Sequence, residues 1–325
     1  MSTGRNLLLS LVSLLAVLLS VAALAGCQMA NQPEQLTLKI GVLPIVDALP
    51  LYVAQQEGYF QQEKLGVEAV LFQSALERDS ALQAGQLDGE LNDLVSAALL
   101  NKDADRVRVV RLAYRGNEKQ AMMTVIASPH STVQSAADLK GKTIAVSKST
   151  VIEYSTDRLL ELAGVPSSEV QKTEVTKIPV RMEMLTKGQV EAATLPEPFA
   201  SLALKQGARL ILSDSQNGIG QSVLTFRKEL ATDKPEAVKG LLRAYERAVE
   251  QINASPEKYR SLLVEKAKVP EALKDSFPVP PFPAGQVPTR PEVESVVDWM
   301  VNKGLLPQPL SYEQLVNSDL LPSSK

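Results

Sequence analysis

Residues 38–60 of the 325-residue chain read LKIGVLPIVDALPLYVAQQEGYF, and this stretch decides the fold. Leu38, Ile40 and Val42 alternate with Lys39 and Gly41, the period of a strand with one face more buried than the other. Pro44 ends that strand, because it has no N–H to extend a ladder. Pro50 falls in the first turn of a predicted helix, where the missing donor costs nothing. Leu51, Ala54 and Gln55 follow at helical spacing, and Gly58 supplies the stop. A loop between a strand's carboxyl end and a helix N-terminus is where open α/β sheets bind small ligands. Residues 44–49 are therefore expected to form one lip of a ligand cleft.

Working outward, strands are predicted at 67–72, 87–91 and 107–113, with helices at 75–84 and from about Asn92 onward. This alternation implies a mostly parallel sheet with right-handed crossovers. Residues 121–127, AMMTVIA, form an apolar strand leaving the unit, and a second cycle follows. Its strands are expected at 143–146, 170–176, 190–194 and 209–212, and its helices at 151–162, 180–187 and 199–205. Residues 221–226 read as a return crossing. From Asp233 the pattern is helical, with Val238, Leu241, Leu242, Tyr245 and Val249 on one face. A proline-dense stretch at 277–291 leads to a last helix carrying Trp299. Two nested cycles imply two lobes with a cleft between them.

The formal net charge of -3 gives no basis for a nucleic-acid partner. One cysteine and one histidine leave little scope for a disulfide framework, a cysteine zinc site or Ser-His chemistry, and no cofactor is expected. GxGxxG, GxxxxGK[ST] and GxSxG are all absent. At the N-terminus, Arg5 precedes an apolar run from Leu7 to Leu24, then Leu-Ala-Gly-Cys ending at Cys27. That is the layout of a secretory signal, although its length also approaches a membrane span. Residues 28–35 are polar and read as a tether.

Several residues are candidates for chemistry, each with a structural alternative. Ser149 and Thr150 stand at a helix start, where they either help bind an anion or cap their own helix. Asn92 and Asp93 pose the same choice. Asp47, in the lip loop, suits an amine or amidine on a ligand, or an ordinary turn. Glu197, between two prolines, points either to solvent or into the cleft. Arg115 and Arg181 are available to neutralise an acidic ligand, and His130 reads as a solvated turn residue.

Taken together, GVLPIVDALPLYVAQQEGYF, ALQAGQLDGELNDLVSAALL, SAADLKGKTIAVSKSTVIEYSTDRLLELAGV, GQVEAATLPEPFASLA and VVDWMVNKGLLP resemble a known family. The chain looks like a substrate-binding lipoprotein of an ABC importer, of the nitrate/sulfonate/taurine and thiamine-precursor-binding superfamily. The resemblance implies an α/β, two-lobed periplasmic-binding-protein fold of type II, with two crossing strands and hinge closure on a small molecule. The lobes would be residues 36–126, then 127–221, then 222–325 returning to the first, behind a signal at 1–26 and a tether at 27–35. Lipidation (palmitate) at Cys27, an extracytoplasmic monomer and delivery to a permease with its ATPase are implied as well. So are ligand contacts at Pro44, Ile45, Asp47 and Leu49, at Asn92, Asp93 and Leu94, and at Ser149, Thr150, Val151 and Tyr154, with Leu195 and Glu197 on the second lobe. The apolar lip departs from an inorganic-anion site and favours an organic ligand with one charged group. A pyrimidine-precursor synthase or a sensing lobe on the same fold is the alternative.

Overall fold

The computed structural model describes residues 36–322. The signal, the Cys27 lipidation and the tether lie outside the described residues. Ten strands among the described residues form two five-stranded sheets: β1 (Thr37–Val42), β2 (Gly66–Leu71), β3 (Gly89–Asn92), β4 (Val107–Arg115), β5 (Met123–Ala127), β6 (Thr143–Val146), β7 (Gln171–Glu174), β8 (Ala192–Pro196), β9 (Arg209–Ser213) and β10 (Gln221–Arg227). The orders are β2-β1-β3-β10-β4 and β7-β6-β8-β5-β9.

In the first lobe β1 pairs in parallel with β2 and β3, and its residues Leu38, Ile40 and Val42 are fully buried. β4 does not continue the parallel run expected from the local alternation. The returning β10 inserts between β3 and β4, antiparallel to both. The second lobe repeats the arrangement, with β5 antiparallel between β8 and β9. Each sheet thus receives one strand adjoining a crossover. Because β5 pairs within the second sheet, the first crossover occupies 116–122, ahead of the boundary expected at 126. The second occupies 214–220.

Asp214 joins these two crossovers. Its Oδ1 accepts the backbone N–H groups of Met122 (2.8 Å) and Met123 (3.0 Å), and its Oδ2 accepts that of Gly220 (3.0 Å). The side chain is fully buried, and burial pushes its carboxyl up to about 6 against the pull of those three donors.

The helix Pro235–Ala254 buries Val238, Leu241, Leu242, Tyr245 and Val249 as its spacing predicts, and it packs on the helix Leu49–Gln56. Its N-cap is Lys234, and the short helix Lys228–Asp233 runs up to it. The last long helix, Arg290–Asn302, covers β4 and the helix Leu94–Leu100 through Val293, Val296, Val297 and Met300. No helix among the described residues is long and apolar enough to cross a membrane.

Candidate functional site

The loop after β1 does form a lip, and its start is apolar for a packing reason. Leu43 joins the hydrophobic core of the second lobe, with Ile45 packed against the same cluster. Val46–Ala48 then makes one 3₁₀ turn into the helix Leu49–Gln56. Opposite stand the helix Val151–Leu162, the loop before Ile178 and the end of β8. Beside the lip the space between the lobes is a cavity of about 40 Å³, room for a few water molecules, and a separate recess of about 250 Å³ opens between Leu94, Val95 and Val296 of the first lobe and Val151, Tyr154 and Leu162 of the second. An organic ligand therefore enters only if the lobes separate.

Three carboxylates and one guanidinium set the electrostatics. Asp47 is 3% exposed, and its Oδ1 has no hydrogen-bond partner among the described residues. Burial pushes its carboxyl up to about 7; nearby Ser222, whose own hydroxyl is also unpartnered, and Arg78 pull the other way. Asp93 caps the helix Leu94–Leu100 by accepting the Ser96 N–H at 2.9 Å, and burial raises it to about 6 against the charge of Arg78. Glu90, behind them, is fully buried and pushed up by burial, partly offset by Arg78.

Arg78 is 2% exposed and lines the cavity, yet its donors turn inward. Nη1 donates to the Leu91 carbonyl (2.8 Å), Nη2 to Asp79 (2.7 Å) and Ser96 Oγ (3.1 Å), and Nε to Asp79 (3.0 Å). Glu90 lies 3.4 Å from Nε, Asn92 donates to Glu90 at 2.7 Å, and Thr225 donates to Asn92 at 2.6 Å. A guanidinium with four of its five N–H donors engaged offers no fork to an incoming anion. The stem of Arg78 fits because residue 41 is glycine: a Cβ there would stand 2.9 Å from Arg78 Cγ and 2.7 Å from Leu87 Cδ1. The cavity is thus acidic around one internally satisfied cation, and it suits a ligand that brings N–H donors or positive charge.

Of the residues singled out from sequence, Ile45, Asp47, Asn92, Asp93, Thr150 and Val151 line this cavity. Thr150 also caps its helix, accepting the Ile152 N–H at 3.1 Å and donating to the Ser147 carbonyl at 2.7 Å. Pro44 and Leu49 are buried beside the lip but do not face the void. Ser149 takes a left-handed φ of 57° and donates its N–H to Glu153 at 2.8 Å. Leu195 belongs to the second-lobe core. Glu197 faces neither solvent nor the void; it is 9% exposed and accepts the Ser201 N–H at 3.1 Å, capping the helix Phe199–Lys205. Leu94 and Tyr154 lie in the hydrophobic cluster of the first lobe. Arg115 pairs with Glu292 at 2.8 Å. Arg181 is fully buried, with Nη1 on the Val175 carbonyl and Nε and Nη2 unpartnered among the described residues; burial brings it down to about 9. His130 is exposed. Ser147, which opens the hydroxyl segment 147–150, lines the cavity as well, and the lining residues that sequence reasoning missed include Arg78, Thr176, Met122 and Ser222.

The model of the family described as NMT1/THI5 like matches residues 46–259. A provisionally named aliphatic sulfonates-binding protein of Escherichia coli is 25% identical over 245 residues, covering 73% of this chain and 74% of the relative. A provisionally named thiamine biosynthesis protein of Haemophilus influenzae is 25% identical over 284 residues, covering 82% and 87%. Among solved structures, the alkanesulfonate-binding protein SsuA of Xanthomonas axonopodis bound to MOPS superposes with a TM-score of 0.71 at 20% identity, covering 90% of this chain and 99% of that one. The ligand-binding component of an ABC-type import system from Staphylococcus aureus, with zinc bound, gives 0.74 at 16% identity over the same shares. The fold is that of the periplasmic binding proteins.

Proposed function

Because the chain belongs to the NMT1/THI5-like family, we propose that it is the solute-binding component of an ABC importer, which captures a small organic molecule between its lobes. The observation that carries this reading is the interlobe cavity with Asp47 on its wall, one of whose carboxylate oxygens has no hydrogen-bond partner among the described residues. The ligand has an apolar body, received by Ile45, Val151, Ile178 and Met122, and an amine, amidine or ring N–H that meets Asp47 and Asp93. Ser147, Thr150, Thr176 and Ser222 supply hydroxyls around it. Pro44, Leu49, Leu94, Ser149, Leu195 and Glu197 hold the walls without touching the ligand.

The cavity's titratable groups are carboxylates and an internally paired arginine, and His130 lies on an exposed turn away from it. That set favours binding over catalysis. The segment ending at Cys27 supports a lipid-anchored monomer on the outer side of the membrane, handing its cargo to a permease driven by a separate ATPase.

A thermal-shift screen tests the ligand class, using nitrate, taurine, methanesulfonate, thiamine, 4-aminopyrimidines and amino acids at pH 8. A ligand at 100 times its Kd stabilises the folded state by about 2.7 kcal/mol. The expected outcome is a shift with a nitrogen-bearing cation or N–H heterocycle, abolished by Asp47→Ala. Binding of nitrate or methanesulfonate that survives Asp47→Ala would refute the ligand class.

A further inference from the structure

Away from the cavity, the helix Val151–Leu162 of the second lobe faces the helix Arg290–Asn302 of the first. Trp299 Nε1 donates to Asp157 Oδ2 at 3.0 Å, and Lys303 Nζ donates to the same oxygen at 3.1 Å and also to Glu153. Tyr154 Oη and Ser295 Oγ are 3.0 Å apart. The Tyr154 and Trp299 rings meet edge to face with centroids 5.4 Å apart, and Tyr154 is 5% exposed within the hydrophobic cluster of the opposite lobe. Asp157 is held from its own side by Ser167 Oγ (2.5 Å) and Lys172, so its second oxygen is already aimed across the seam. Arg158, the other nearby cation, pairs with Glu161 instead at 2.6 Å.

None of Glu153, Tyr154, Asp157, Ser295, Trp299 and Lys303 lines the 40 Å³ cavity. Tyr154 and Ser295 line a separate recess of about 250 Å³, and Asp157, Ser295, Trp299 and Lys303 an open surface groove, but their polar atoms bond one another across the seam, so their interaction energy goes to the arrangement of the lobes. We propose that this seam is a latch: a set of positioning residues that stabilises the closed lobes for any ligand and so sets the affinity without touching it. A binding-competent arrangement populated by a fraction f of molecules weakens the apparent affinity by that fraction, so contacts that raise f tighten binding. The latch goes beyond the ligand class proposed above and does not depend on it.

The chain's one tryptophan is Trp299, so its fluorescence reports this seam alone. The test uses the full chain in detergent, without added ligand. Half-buried Glu77 and exposed Lys177, paired across the mouth at 3.4 Å, are replaced by spin-labelled cysteines in a Cys27→Ser background. Lys303→Met and Asp157→Asn are expected to raise the open-to-closed ratio on the order of tenfold each, the scale of a coupled charged contact. The change reads as a new long-distance population at the mouth together with greater acrylamide quenching of Trp299. Lys303→Arg should restore both readings. Because Lys303 lies at the rim, its variant keeps the fold, which a circular-dichroism melt checks. Greater Trp299 quenching with an unchanged mouth distance would show local fraying, and it would overturn the latch, as would no change in either reading.

Discussion

Asp47→Asn should make the ligand-free protein more stable at pH 8, an advantage that disappears or reverses toward pH 4. The carboxyl moves from its usual 3.8 to about 7, chiefly through burial. A raised carboxyl pKa means the folded state holds a proton that the unfolded state has lost, so stability falls as pH climbs from about 4 to about 7. A rise of that size costs the folded state about 4 kcal/mol at pH 8, and only about 0.6 kcal/mol of it has developed at pH 4. Asparagine carries no charge at either pH. Its amide, partly unsatisfied in the same place, costs about 1–3 kcal/mol regardless of pH. The difference in unfolding free energy between the two proteins should therefore widen by roughly 3 kcal/mol between pH 4 and pH 8. Urea titrations at both pH values, with equal m-values, measure it. A gap that stays constant across this range would refute the claim that burial outweighs the donors around the Asp47 carboxylate. The same variant should lose the nitrogen-bearing ligand proposed above, a trade of function for stability expected of a binding residue.

Arg181→Met should raise the midpoint of thermal unfolding, because it replaces a fully buried guanidinium with no carboxylate partner by an apolar chain of similar length. A gain of about 1–3 kcal/mol is expected, seen as several degrees by calorimetry, and a fall in midpoint would contradict it. Gly41→Ala should cost about 1–3 kcal/mol, since the new Cβ meets Leu87 and the Arg78 stem within 3 Å. Urea denaturation measures that cost, and a neutral result would show that the layer beneath β1 has slack.

The strand, lip and helix around Asp47 were legible because alternation, Pro44 and Pro50 are all local signals. The second cycle was legible for the same reason, with element ends shifted by a residue or two. Arg78 was not. It sits in ALERDSALQ, whose composition reads as a surface helix, and its burial depends on Gly41, Leu91 and Ser96, which are near only once the sheet has formed. The place of β4 was equally hidden, because the strand that separates it from β3 arrives a hundred residues later. At Asp93 and Thr150, capping and cavity lining turn out to be compatible roles, one side chain serving both. Arg181 and Glu197 show the opposite limit. Nothing in their neighbours distinguishes a charge aimed at a ligand from one buried within its own lobe.

The Asp214 bridge has a consequence for how such a protein can change its cargo. Two independent ribbons between lobes would permit twist and shear as well as bending. Ribbons tied to one carboxylate move as a single axle, and the lobes are left with essentially one swing. Every ligand that closes the cleft then presents the same outer face to whatever receives it. Substitutions in the lips can alter what is carried while the shape offered for unloading stays constant.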